Sequence, residues 1–396
     1  MNIAVFIKRT TFHEGYGGLE TQNQTLCEGL SGKGHRVTVF SPKYELEQDF
    51  ASKNGVDYVF VECSYRSLAG LGHLDKNNWE NKSFFAYKIA HDEKAFDIVL
   101  AQSSAGLGLL RRKSDLTVPV ISISHGTTVG EYKTLLQSIK SFGDVIRLIP
   151  NTAYMLLNFF IRQRLFVLKS NKVIAVSNVV KQKLVEETFV SKGRITVIHN
   201  GVDESKILVK ASYPIKDTLT LLFSSKVIKS KGIGDLIEAL NDERLNNVEV
   251  EVLGGGEDIE FFTEVSRKKG LDSRVHFRNK IPYEQYLSRI KESDVLVIPS
   301  RRIEGFPMTA PEAMFAGLPV IGSDLGGTPE GIVDGGTGFV YKSGDISALR
   351  DAIEKFLDQP TLIESMGKSG RSKAQQEFGL DAMLNKYERV MKEVTQ

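Results

Sequence analysis

Residues Asp294 to Ile321 read DVLVIPSRRIEGFPMTAPEAMFAGLPVI, in outline a strand, a loop, a helix and a second strand. Val295 to Ile298 is an apolar run the length of a buried strand. Pro299 and Ser300 end it, because proline has no N–H to give the ladder. A loop follows, then a short helix that Gly317 stops, then a second apolar strand from Leu318. Thr309-Ala310-Pro311-Glu312 reads as a capping box, with Thr309 as N-cap, Pro311 in the first turn and Glu312 three residues past the cap. A helix start beyond the carboxyl end of a strand is a ready anion site. Glu304 and Glu312 lie eight residues apart across the loop and the helix start. Taken alone, they are equally a solvated loop acid and a helix cap.

The Glu-x7-Glu spacing inside PSRRIEGFPMTAPEAMFAGLPV resembles the donor-sugar signature of retaining glycosyltransferases of the GT-B fold, family 4 (glycosyl transferases group 1). The resemblance implies an α/β chain of two facing Rossmann-like domains with an interdomain cleft and a C-terminal helix that crosses back to the first domain.

Length and composition agree. At 396 residues two domains are the default. Apolar and charged fractions of 41% and 25% are those of an ordinary globular protein. The net charge of +2 divides unevenly: residues 1–205 hold 25 basic and 20 acidic side chains, residues 206–396 hold 26 and 29. That is too mild for a dedicated nucleic-acid binder and suits one face turned toward something anionic. Cys27 and Cys63 form no C-x-x-C, so a disulfide framework is not expected and a reducing, cytoplasmic setting is. MNIAVFIKRT reads as a first strand rather than a signal peptide. No apolar run reaches the ~18 residues of a membrane span.

Ile3 to Ile7 is a strand, followed by the turn Gly15-Tyr16-Gly17-Gly18-Leu19-Glu20, a helix to about Leu30 stopped by Gly34, and a strand from Val37 to Phe40. This opening invites a dinucleotide reading. Glu20 stands where the third glycine of that fingerprint belongs, however, and Phe40-Ser41-Pro42 offers no carboxylate to a ribose. A GGxE turn here is usual in family 4, and implies that Gly17 and Gly18 let the backbone approach the donor diphosphate or the acceptor; a plain tight turn is the alternative. Residues 43–95 read as irregular and polar. Asp97 to Ala101 and Val118 to Ser124 are strands, the second running into His125-Gly126. The resemblance sets His125 beside the donor sugar and diphosphate; otherwise it is a structural histidine.

Residues 133–172 carry Lys133, Lys140, Arg147, Arg162, Arg164, Lys169 and Lys172 against one acid, Asp144. Tyr154 to Lys169 is apolar round most of a helical wheel, with Asn158, Arg162 and Lys169 as a polar stripe. It is either a helix packed on the sheet or a basic interfacial helix on anionic lipid. Strands from Lys172 to Val176 and Ile195 to Ile198, the latter ending in His199-Asn200-Gly201-Val202-Asp203, close the first domain.

The second domain restarts the alternation with strands at Leu219–Phe223, Val248–Leu253 and Val275–Phe277. Lys226 and Lys231-Gly232 match the family's basic pair before a KG; the first is usually arginine, and lysine keeps the charge but loses the planar fork. Asn279, before Lys280, stands where the family usually has glycine, and asparagine tolerates positive φ. Gly326-Gly327-Thr328-Pro329-Glu330 and Asp334-Gly335-Gly336-Thr337-Gly338 resemble its GGxxE and DGxTG turns. Helices from Asp345, Thr361 and Leu380 finish the chain. The expected domains are 1–205 for the acceptor, 206–380 for the donor, and 381–396 as the returning helix.

The resemblance implies transfer of a sugar from a nucleotide-sugar, UDP-linked in slight preference to GDP-linked, to a glycan or lipid-linked acceptor hydroxyl. His125 and Glu304 are the implied catalytic pair. Lys226, Lys231, Lys280 and N–H groups near Met308 and Thr309 face the donor, backbone near Phe306 and Met308 helps hold its sugar, and Glu312 accepts from the ribose hydroxyls. No Asp-x-Asp occurs, so neither a metal nor another cofactor is expected. A non-catalytic partner that binds sugar-nucleotides, or a nicotinamide oxidoreductase, are the other readings. Donor turnover and NADH fluorescence respectively discriminate them.

Overall fold

The computed structural model describes residues 1–64, 72–130, 132, 152 and 154–396. The chain divides into two compact units: Met1–Gly201 with Leu380–Gln396, and Val202–Gly379.

In the first unit the described strands are β1 (Asn2–Phe6), β2 (Arg36–Pro42), β3 (Phe50–Lys53), β4 (Val56–Val61), β5 (Ile98–Gln102), β6 (Val120–Ser124), β7 (Lys172–Ala175) and β8 (Ile195–Val197). They lie in the order β3-β4-β2-β1-β5-β6-β7-β8, and every pair is parallel except β3 with β4. The runs IAVF, IVLA and VISI are continuous and apolar because helices cover both faces, and β1, β5 and β6 are buried along these runs. The described residues of 43–95 are not irregular. They hold the β3–β4 hairpin and a helix, Trp79–Glu93, capped by the Asn78 side chain. The hairpin turns at Asn54-Gly55, both at positive φ (+50° and +76°), and β4 alternates Val56, Tyr58 and Phe60 inward.

In the second unit β9 (Leu219–Ser224), β10 (Val248–Leu253), β11 (Val275–Phe277), β12 (Val295–Ile298), β13 (Val320–Ser323) and β14 (Gly338–Tyr341) form a parallel sheet in the order β11-β10-β9-β12-β13-β14. Its core joins Leu221, Phe223, Val250 and Val297 to helix residues such as Leu236, Ile237 and Phe356.

The helix Leu380–Thr395 belongs to the first unit. Leu384, Tyr387 and Met391 are buried. Gly29, on the helix Gly18–Gly32, admits Leu384 so closely that a Cβ there would lie 2.8 Å from its Cδ1. His35 and Glu388 meet at 2.9 Å.

Candidate functional site

In each sheet the strand order reverses once, and the loops leaving the carboxyl ends on either side of that point diverge to form a crevice. In the second unit the reversal falls between β9 and β12. The loop after β9 carries Lys226 and Lys231; the loop after β12 carries Ser300 and Glu304. They meet: Lys231 Nζ lies 2.7 Å from Glu304 Oε1, and Ser300 Oγ donates to the same oxygen at 2.7 Å. Burial would raise the Glu304 carboxyl, but the Lys231 ammonium and these two bonds outweigh it and hold the group below the usual glutamate range. The sequence reading gave Lys231 to the diphosphate and Glu304 to the sugar as separate tasks; here the two are partners.

Two glycines make that contact possible. Gly232, at φ +77°, runs so close to the end of β12 that a Cβ would sit 1.7 Å from the Pro299 carbonyl oxygen. Gly326, at φ +63°, would put a Cβ 2.2 Å from the Glu304 carbonyl oxygen, and the Gly327 N–H donates to that oxygen at 2.8 Å. The GGxxE turn therefore holds the Glu304 backbone.

The capping box does not form. The helix runs Thr309–Ala316, Met308 is its N-cap in the right-handed helical region, and no side chain caps it. The Ala310 and Glu312 N–H groups donate to the carbonyls of Pro307 and Met308, so the chain is already turning before Thr309, which falls inside the first turn. Glu312 is buried and accepts from the Tyr286 hydroxyl at 2.6 Å. Burial pushes its carboxyl up to about 7, although hydrogen bonds from Tyr286 and Tyr283 act the other way. The two tyrosines, three residues apart at the start of the helix Tyr283–Glu292, were missed; their phenols one turn apart were the available signal. Phe306 is buried against Phe378, ring centroids 5.3 Å apart, while Met308 and Thr309 are half-buried. Lys226 and Lys280 are exposed on the loops after β9 and β11. Asn279 does adopt positive φ, +54°, and its carbonyl accepts from the Gly254 N–H at 2.8 Å.

In the first unit His125 follows β6. Its Nε2 donates to Gln102 Oε1 at 2.7 Å, and Gln102 Nε2 in turn donates to Asn23 Oδ1 at 2.8 Å, so this chain of bonds fixes the tautomer. Burial pushes the imidazole down to about 4, which leaves it neutral at physiological pH with Nδ1 as an acceptor. Gly17 has negative φ, and a Cβ there would meet only Glu20 Oε2, at 3.7 Å; one at Gly18 would meet nothing within 4 Å. Nothing in the fold requires glycine at either position. Glu20, the residue that breaks the dinucleotide fingerprint, accepts from the Gly17 N–H at 2.8 Å and caps the helix start.

The polar stripe expected along Tyr154–Lys169 is not formed as such. A π-helical turn, Asn158–Gln163, precedes the α-helix Arg164–Lys169 and breaks the 3.6-residue period. Asn158 Oδ1 and Arg162 Nε are buried. Phe166 is buried too, whereas Tyr154, Leu156, Leu157, Phe160 and Leu168 are exposed. Lys133, Lys140, Asp144 and Arg147 lie outside the described residues. No helix among the described residues is long and apolar enough to cross a membrane.

Two family models match in succession: Glycosyltransferase Family 4 over residues 16–206 and Glycosyl transferases group 1 over residues 206–373. An uncharacterized glycosyltransferase of Methanocaldococcus jannaschii is 23% identical, over 94% of each chain. Among solved structures, sucrose-phosphate synthase from Thermosynechococcus elongatus superposes with a TM-score of 0.82 at 20% identity, over 99% of this chain and 98% of that one. HepE from Anabaena, in complex with UDP-glucose, gives 0.76 at 17% identity, over 99% of this chain and 100% of that one. The protein belongs to glycosyltransferase family 4, glycosyl transferases group 1, and has the GT-B fold.

Proposed function

We propose that this glycosyltransferase takes its sugar from a nucleotide-sugar, UDP-linked in slight preference to GDP-linked, and passes it to a hydroxyl of a glycan or lipid-linked acceptor with retention at the anomeric carbon and without a metal. The observation that carries the reading is the Lys231–Glu304 pair at the β9/β12 crevice, with the start of the Thr309–Ala316 helix and Glu312 next in sequence. Lys231 is bonded to the Glu304 carboxylate, and in this reading it orients Glu304 toward the sugar hydroxyls and neutralises the leaving diphosphate. Lys226 and Lys280 add charge at the rim. Glu312 holds the ribose, and backbone near Phe306, Met308 and Thr309 faces sugar and phosphate. In the first unit, neutral His125 offers Nδ1 to a donor-sugar hydroxyl, and Gly17 and Gly18 leave room for close approach of a ligand. The UDP-glucose complex of HepE supports a uridine donor at the level of fold.

The exposed aromatic and leucine side chains of residues 154–168, beside Arg164 and Lys169, support docking of the first unit on the anionic cytoplasmic face of a membrane. The function is tested by incubating the full chain with UDP- and GDP-sugars in excess EDTA and following nucleoside diphosphate release and product configuration by NMR. Release of UDP with an α-linked product from an α-linked donor is expected. An inverted product, or turnover only when Mg²⁺ or Mn²⁺ is restored, would refute the corresponding part.

A further inference from the structure

The first unit has its own reversal point, between β1 and β5. A small, solvent-open cleft lies there, and Lys8, Tyr44, Asn78, Glu80, Ser104 and Arg162 contribute to its wall. Lys8 comes from the loop after β1 and Ser104 from the loop after β5, so the cavity sits where a parallel sheet presents ligands. His125, after β6, emerges at the same edge of the sheet.

The charges in this wall are not balanced by the wall itself. Glu80 is already taken by Arg111, Nε to Oε2 at 2.8 Å. Lys8 makes no hydrogen bond or ion pair among the described residues, and Arg162 buries its Nε with no hydrogen-bond partner there. Asn158 Oδ1, one turn earlier, is buried and unpartnered as well. A guanidinium N–H buried without an acceptor is costly, and a ligand oxygen would satisfy it. Desolvation by the wall, and after it the Arg162 cation, push the Lys8 ammonium down to about 8 against the opposing pull of Glu80; Lys8 is nevertheless exposed at the rim and mostly charged at pH 7. Ser103, beside Ser104, is held at φ +49°, a conformation non-glycine residues seldom adopt. The hydroxyls of Tyr44 and Ser104 and the amide of Asn78 lie in the same wall. Two cations, set among neutral hydrogen-bonding groups and one carboxylate that Arg111 already holds, suit a group with several oxygens to satisfy.

We propose that this cavity recognises a phosphate group carried by the acceptor, with Arg162 and Lys8 as its principal contacts. The proposal rests on the glycosyl-transfer reading for the word acceptor only; the site itself stands on the first unit alone. Arg162 then has a use that neither a core helix nor a lipid-facing one gives it, because the π-helical turn directs its side chain inward.

The test is calorimetry on the full chain with inorganic phosphate, sn-glycerol 1-phosphate and glucuronate at constant ionic strength, repeated with Lys8→Gln, Arg162→Gln and Arg162→Lys. Millimolar binding of both phosphates by the wild type is expected, weakened roughly tenfold in Lys8→Gln and in Arg162→Gln. Tighter binding of glycerol phosphate than of inorganic phosphate would extend the site to a phosphodiester-linked acceptor, and equal binding would make phosphate itself the recognised group. Lys8→Gln alters an exposed residue, so its result stands even if Arg162→Gln does not fold. Unchanged phosphate affinity in Lys8→Gln and Arg162→Lys, glucuronate bound as tightly as glycerol phosphate, or no binding by the wild type would overturn the proposal. UDP titrated into the same wild-type sample reports separately on the donor reading: loss of UDP binding counts against that reading and leaves the phosphate result standing.

Discussion

Glu312→Gln removes a buried charge at nearly constant volume, and its effect on stability is opposite to its effect on function. The carboxyl ionises near 4.5 in an ordinary setting and near 7 in the folded unit. The folded state therefore holds this proton more tightly than the unfolded chain does. Its contribution to stability is complete below pH 4.5 and is lost as pH rises to about 7. At about 1.4 kcal/mol per pH unit, the gap corresponds to about 3 kcal/mol. Glutamine keeps an acceptor for the Tyr286 hydroxyl and carries no charge to desolvate. The variant should be more stable than the wild type by about 2–3 kcal/mol at pH 8 and no more stable at pH 4.5. Ribose binding should weaken by about 1.5–3 kcal/mol, because a charged acceptor is lost. Urea unfolding followed by far-UV circular dichroism at the two pH values measures the first effect; the only tryptophan, Trp79, lies in the other unit and its fluorescence would report on that unit. Calorimetry with UDP measures the second. A variant destabilised equally at both pH values would refute the argument from burial.

Glu304→Ala should abolish transfer while UDP binding survives, because the Lys231 ammonium remains; loss of UDP affinity in this variant but not in Glu312→Gln would reverse the two roles. His125 should titrate near 4 rather than 6.5 by NMR, so its contribution to stability is present above pH 6.5 and lost as pH falls toward 4; a midpoint above 6 would refute the burial seen here. The protein should sediment with phosphatidylglycerol vesicles at low salt and be released at high salt, each cation in reach contributing about 1 kcal/mol. Equal, negligible binding to anionic and neutral vesicles would mean that residues 154–168 do not dock on lipid.

Strands buried on both faces were easy to read, because continuous apolar runs ending in proline, serine or glycine have few other uses. Gly317 stops its helix at φ +91°, as its residue type suggests, and Asn279 takes the positive φ that asparagine tolerates where the family usually has glycine. The β3–β4 hairpin was legible in Asn54-Gly55 and in the alternation from Val56 to Phe60, but the polar residues around it concealed both signals. The box at Thr309 failed because its residue types fit two structures, and the backbone turn at Pro307–Met308, which sequence spacing does not report, chose between them. The pairing of Lys231 with Glu304 depends on two loops meeting at a reversal of strand order, and the tyrosines reach Glu312 because two helices distant in sequence meet. No local pattern encodes such meetings. The inward turn of Asn158 and Arg162 was hidden for a related reason: a helical wheel assumes a constant period, and a π-helical turn breaks it.

The helix Leu380–Thr395 has a consequence for how the protein is made. A ribosome finishes the first 201 residues long before it finishes this helix, yet Leu26 and Leu30 lie on the helix that receives it. Met383, Leu384, Tyr387, Val390 and Met391 are all buried. At about 2 kcal/mol for each side chain removed from water, they contribute roughly as much as the whole net stability of a typical domain. The N-terminal sheet therefore emerges first and matures last: it waits, with an apolar groove open, while the entire second unit is synthesised. A nascent chain stalled before residue 380 presents a complete second unit and an incomplete first one, and it is the first that a chaperone would hold.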